Sequence, residues 1–116
     1  MPSVHDFGII ENLNNQIDFD DEYNPEKYNC IAVEDELVSI LDEKLSGMKT
    51  YFHSLNRPEM GLAYFGVTII PPDSLLFFYD VVTSSDHLKN SDELNKLVLK
   101  IQEAIKEKKY MIHYGI

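Results

Sequence analysis

The stretch Met48-Lys-Thr-Tyr-Phe-His-Ser-Leu55, Asn56-Arg-Pro-Glu-Met-Gly61, Leu62-Ala-Tyr-Phe-Gly-Val-Thr-Ile-Ile70, Pro71-Pro72-Asp73-Ser74, Leu75-Leu-Phe-Phe-Tyr-Asp-Val-Val82 reads as strand, turn, strand, sharp corner and helix. Four of the six Phe and three of the seven Tyr fall here, so the scaffold is expected to form around it. In the second strand, Ala63, Phe65, Val67 and Ile69 point one way and Leu62, Tyr64, Thr68 and Ile70 the other. Both faces are largely apolar, which predicts a central strand covered on both sides. Pro71 and Pro72 end the ladder, and Pro72 suits the start of a helix with Asp73 in its first turn. Leu75, Leu76, Phe78, Tyr79 and Val82 then make a wide apolar helix face.

Outward from this stretch, Val33, Leu37, Ile40, Leu41 and Leu45 recur at helical spacing and predict a helix over 34–45, stopped by Ser46-Gly47. Leu94, Leu97, Val98, Ile101, Ala104 and Ile105 predict a second amphipathic helix over 91–108, capped by Ser91. Tyr110 to Gly115 alternates and reads as a closing strand. Residues 4–10 read as a short strand or an apolar anchor, and Cys30 to Val33 as a strand or a helix lead-in. The segment 11–29, rich in Asn and Asp, reads as a loop pegged to the body by Ile17, Phe19, Tyr23 and Tyr28. The expected fold is α+β: one domain, 1–116, with a small antiparallel or mixed sheet of three to four strands against about three helices. The sheet is built from 48–55, 61–70 and 110–115, with an N-terminal strand as its fourth member, and helices cover 34–45, 73–84 and 91–108. Residues 1–33 form an acidic, loop-rich N-terminal segment, and 34–116 the body.

The net charge of −10 is unevenly spread. Residues 1–46 hold twelve acids and two bases, whereas 47–116 hold eight of each, so the whole excess lies in the first third. Such a surface repels nucleic-acid phosphates and anionic lipid and attracts basic partners. No apolar run reaches the roughly 18–20 residues of a membrane span. The N-terminus has no signal-peptide pattern, and a single cysteine, Cys30, forms no internal disulfide, so a cytoplasmic location is expected.

Catalytic and metal signatures are missing from the sequence. His5, His53, His87 and His113 are dispersed, without His-Glu-x-x-His or Cys-x-x-Cys, and no metal or other cofactor is expected. Asp18-Phe19-Asp20-Asp21-Glu22 alternates oxygen ligands but lacks the glycine and distant glutamate of a calcium loop. Ser74 has no Gly-x-Ser-x-Gly context and reads as a polar first-turn residue. Cys30 reads as a small buried side chain. His53 and His113 fall on expected strands, where they become neighbours across the sheet in one register.

The run from Gly61 to Val82, an apolar strand entering Ile70-Pro71-Pro72-Asp73-Ser74-Leu75 and then an aromatic-rich helix, resembles small bacterial immunity proteins of polymorphic-toxin systems. The resemblance covers roughly a fifth of the chain and carries over no functional residue. It implies a non-enzymatic inhibitor that masks a basic toxin domain, a nuclease among the candidates, by occlusion. The partner-binding residues expected from the charge split are Asp18, Asp20, Asp21, Glu22, Glu34 and Glu36, with Tyr23 as aromatic anchor. A second reading is a small ligand-binding or enzymatic domain with a pocket lined by Tyr51, His53, Tyr64 and His113. A third is a homodimeric or larger accessory protein.

Overall fold

In the computed structural model, which describes residues 4–11, 13, 25–63 and 66–115, the chain runs β1 (Val4–Ile10), β2 (Ile31–Glu34), α1 (Asp35–Leu45), β3 (Lys49–Phe52), β4 (Pro58–Met60), β5 (Val67–Ile70), α2 (Leu75–Thr83), α3 (Asp92–Glu107) and β6 (Tyr110–Tyr114). Short 3-10 turns precede β2, α2 and α3. The fold is α+β, but the sheet has six strands, in the order β2-β1-β6-β5-β3-β4, not three to four. Every neighbouring pair is antiparallel.

The extra strands come from both ends of the sheet. Residues 4–10 and 31–34 are strands and pair with each other. Pro58–Met60, read above as part of a turn, doubles back on β3 to make the outer strand β4. The strand expected over 61–70 begins only at Val67; Leu62 and Ala63 lie outside it, and Tyr64 and Phe65 lie outside the described residues.

β5 is central, and all four of its side chains are buried. One face of the sheet carries the helices, with a core that includes Phe7, Ile9, Val33, Leu45, Ile70, Phe78, Leu97, Ile101 and Met111. The other face holds Ile10, Val67, Ile69, Ile112 and Tyr114, covered by Tyr28, with Leu13 and Cys30 packed alongside. Tyr28, with Leu13 and Cys30, therefore forms a lid on this face, in keeping with Tyr28 as a peg; Ile17, Phe19 and Tyr23 lie outside the described residues.

Two helix faces differ from the expected ones. In α1 the buried positions are Val38, Leu41 and Leu45, while Ile40 is 44% exposed. In α2 they are Leu75, Phe78 and Val82, and Leu76 is 64% exposed. A helix of about three turns meets the sheet along a narrower stripe than its apolar content allows. α3 follows expectation: Ser91 accepts from the Leu94 N–H, and Leu94, Leu97, Ile101 and Ala104 are buried.

The edge at β4 is blunted. Gly61 N–H donates to Met48 O, and Phe52 N–H donates to Arg57 O. The antiparallel alternation then turns the backbone of Met60 and Pro58 outward. Pro58 has no N–H to offer there.

Gly8 sits where the lid meets the sheet. A Cβ on it would come within 2.6 Å of Cys30 Sγ and of Tyr28 O. Gly8→Ala is therefore expected to lower stability by about 1–3 kcal/mol through overpacking. Urea denaturation checks this: a reduced midpoint with an unchanged slope is the expected result.

Candidate functional site

The acidic residues expected to meet a partner fall into two groups. Asp18, Asp20, Asp21, Glu22 and Tyr23 lie outside the described residues. Glu34 and Glu36 are exposed, one at the N-cap position of α1 and one in its first turn. Asp42 and Glu43 are exposed further along the same helix. No ion pair among the described residues reaches Glu34, Glu36, Asp42 or Glu43. Ile40 shares a face with Glu36 and Glu43, at helical spacings of four and three. The described surface of α1 around the exposed Ile40 is thus predominantly acidic, with Lys44, four residues on, as its one base.

The second expected set, Tyr51, His53, Tyr64 and His113, is not assembled into a pocket. Tyr51 pairs with Ile69, and Ile69 with Ile112, whereas Thr68 pairs with both Phe52 and His113. Tyr51 and His113 therefore project from opposite faces of the sheet. His53 lies past the end of β3 with φ of 64°, and its N–H donates to Val67 O. Its ring packs where a side chain on Gly66 would stand, and Gly66 itself has φ of 93°. Tyr64 lies outside the described residues.

His113 instead meets His5. The rings meet edge to edge with centroids 5.0 Å apart and planes 14° from parallel, and His5 Nδ1 lies 2.8 Å from His113 Nε2. His5 Nε2 is 2.8 Å from Asp35 Oδ1, and His113 Nδ1 is 3.2 Å from Thr68 Oγ1. Thr68 Oγ1 also accepts from the Ala63 N–H at 2.8 Å. With both rings neutral, one arrangement satisfies these contacts: Thr68 O–H donates to His113 Nδ1, His113 Nε2–H to His5 Nδ1, and His5 Nε2–H to the Asp35 carboxylate. The chain links β5, β6, β1 and α1, and Asp35 occupies the first turn of α1, where the helix dipole favours a carboxylate.

This chain lies at the wall of a cleft of about 210 Å³ formed by His5, Asp35, Val38, Ser39, Asp42, Leu62 and Ala63. Only Asp35 is substantially open to it, at 28% exposure against 1% for His5. The outer nitrogen of His5 is held by Asp35, so it does not activate a hydroxyl or thiol nucleophile. Burial, with the His5 ring adding to it, pushes His113 down to about 3. Burial also pushes the Cys30 thiol up to about 12, Asp6 adding to the rise and Lys100 opposing it, which disfavours the nucleophilic thiolate. Among the described residues, no three of His, Cys, Asp or Glu converge as metal ligands, and no helix is long and apolar enough to cross a membrane.

A larger groove, of about 680 Å³, opens at one end of the sheet between Tyr51, Met60, Pro71, Pro72 and Tyr110, with Lys49, Glu59 and Asp73 at its rim. Ser74, buried beside it, donates from Oγ to Lys49 O at 2.6 Å and so fixes the Pro71-Pro72 corner against β3. Comparison with protein-family models, curated proteins and solved structures returned no match.

The histidine chain has a pH signature. The folded pKa of His113 is depressed from 6.5 to about 3, so below about pH 6.5 the unfolded chain binds a proton that the folded chain refuses. This contribution to stability is complete above that pH and is lost as the pH falls toward about 3. Imidazole NMR shifts are expected to keep His113 neutral well below the range of an exposed histidine. A titration midpoint near 6.5 would contradict the buried, hydrogen-bonded placement.

Proposed function

We propose that this chain is an acidic protein-binding domain that recognises a basic protein and blocks it by occlusion, in the manner of an immunity or antitoxin-like inhibitor. The observation that carries the reading is the acidic face of α1: Glu34, Glu36, Asp42 and Glu43 are exposed without ion pairs among the described residues, inside a 46-residue segment that holds the whole −10 excess. Carboxylates left unneutralised by neighbouring lysines keep their field for an approaching cation, which raises the association rate. Ile40, at 44% exposure between Glu36 and Glu43, gives that face an apolar contact to bury. Occlusion needs no catalytic group.

The proposed mechanism has two steps. Charge steers the basic partner onto the acidic surface, and α1, held rigidly by Val38, Leu41 and Leu45, then covers the partner's substrate-binding face. The groove at Tyr51 and Tyr110 supports a second reading, ligand binding, through apolar walls with a few charged groups at the rim.

Capture from the source cell followed by identification separates the two. A captured protein with a strongly basic domain is expected, released by salt. The variant Glu34→Gln/Glu36→Gln/Asp42→Asn/Glu43→Gln is expected to lower its association rate by about tenfold or more at low ionic strength. An unchanged rate and an unchanged salt dependence would overturn the inhibitor reading.

A further inference from the structure

We propose that the outer edge of β2, together with the adjoining face of α3, is a self-association surface whose occupant is a second copy of this chain, related by a two-fold axis. The backbone of β2 argues for it first. The Cys30 N–H donates to Pro25 O at 2.9 Å, and the Glu34 N–H donates to Glu93 Oε1 at 2.8 Å, so neither amide points at β1. By the antiparallel alternation, the amide and carbonyl of Ala32 face the same outward side. Ala32 is exposed, and β2 is the end strand of the sheet.

A long foreign strand laid on this edge would meet two amides already committed to Pro25 and Glu93. An antiparallel copy centred on Ala32 needs only the position between them. It forms a reciprocal pair of N–H···O=C bonds between the two Ala32 residues and joins two six-stranded sheets edge to edge. Glu34 then faces the partner's Cys30, so no two carboxylates oppose each other across the new pair.

The helix beside this edge fits the same axis. Ile31, Lys96, Leu99, Lys100 and Glu103 form a shallow cavity of about 280 Å³ between β2 and α3. Leu99 is 66% exposed, on a helix whose other apolar side chains are packed. Lys96 lies three residues before Leu99 and Glu103 four after it, one turn to either side. An antiparallel pair of α3 helices crossing at Leu99 sets each Lys96 beside the partner's Glu103, twice by symmetry. The surface is thus complementary to itself in charge, in apolar contact and in backbone hydrogen bonding, as an isologous interface must be.

Two chains of net charge −10 repel at long range. Salt screens that repulsion, so self-association should tighten as ionic strength rises. Capture of a basic partner loosens with salt, so the two interactions are told apart by the sign of one measurement.

Sedimentation equilibrium of the full chain, over a wide concentration range at low and high salt, is the test. A monomer–dimer equilibrium that strengthens with salt is expected. Leu99→Glu is expected to raise the dimer Kd by about a hundredfold, because each dimer loses two buried leucines. Lys96→Glu and Glu103→Lys should each weaken the dimer, and the double swap should restore it. Circular dichroism confirms folding of each variant, as all three side chains are exposed or nearly so. A monomer throughout, or a dimer that Leu99→Glu leaves intact, overturns the proposal. A stronger dimer in Glu103→Lys also overturns it, since net charge alone would then govern association.

Discussion

The pairing of β6 with two neighbours holds the molecule together. Asp6 to Ile10 pairs with β6 on one side, and Val67 to Ile70 pairs with it on the other. Without Tyr110–Tyr114 the sheet falls into two pieces, β2-β1 and β5-β3-β4, each with an open edge and half a core. The side chains of β6 serve both halves: Met111 enters the helical core, Ile112 and Tyr114 the opposite one, and His113 the hydrogen-bonded chain to His5 and Thr68. The β1–β6 contacts join residues about a hundred positions apart and the β5–β6 contacts residues about 45 apart, so their loop-closure entropy must be met before the sheet is complete. A polar chain is a specific way to register such a pairing. Shifting β6 by one residue would turn both His113 and Met111 to the wrong face.

The buried histidines and the acidic surface are linked through α1. Asp35 ties the first turn of the helix to His5, while Glu34 and Glu36 on either side of it face water. One short segment therefore anchors inward and presents charge outward. At its other end, Gly47 lies against Phe77, which sets α1 beside α2. A rigidly mounted acidic helix loses little conformational freedom on binding, which favours affinity over a mobile acidic tail of equal charge.

Much of this architecture is legible in the sequence because it is local. The Ser91 cap, the Leu94-Leu97-Ile101-Ala104 stripe and the Pro71-Pro72 corner each declare themselves within a few residues, and each is found where the spacing puts it. The doubly apolar run ending at Ile70 identifies a central strand for the same reason. What was not legible depends on partners distant in sequence. Asn56-Arg-Pro-Glu-Met-Gly61 has turn composition, yet Pro58–Met60 is a strand because β3 offers a free edge to it. Tyr51 and His113 are both on strands, but their faces follow from a register that no local pattern encodes. The His5–His113 contact spans 108 positions and His5–Asp35 spans 30, so neither leaves a motif. The exposure of Ile40 and Leu76 likewise reflects how narrowly each helix meets the sheet, which composition does not reveal.

The two ends of the sheet are unlike, and this limits how copies of the chain can add to one another. Growth into a ribbon needs two adhesive ends, one for each neighbour. The β4 end is poor at this, because Pro58 occupies one of its two outward positions and is without an N–H. If the β2 end alone pairs, as proposed, each molecule has a valence of one. Assembly through sheet edges would then stop at a closed pair, with Pro58 interrupting the row of donors at the other end.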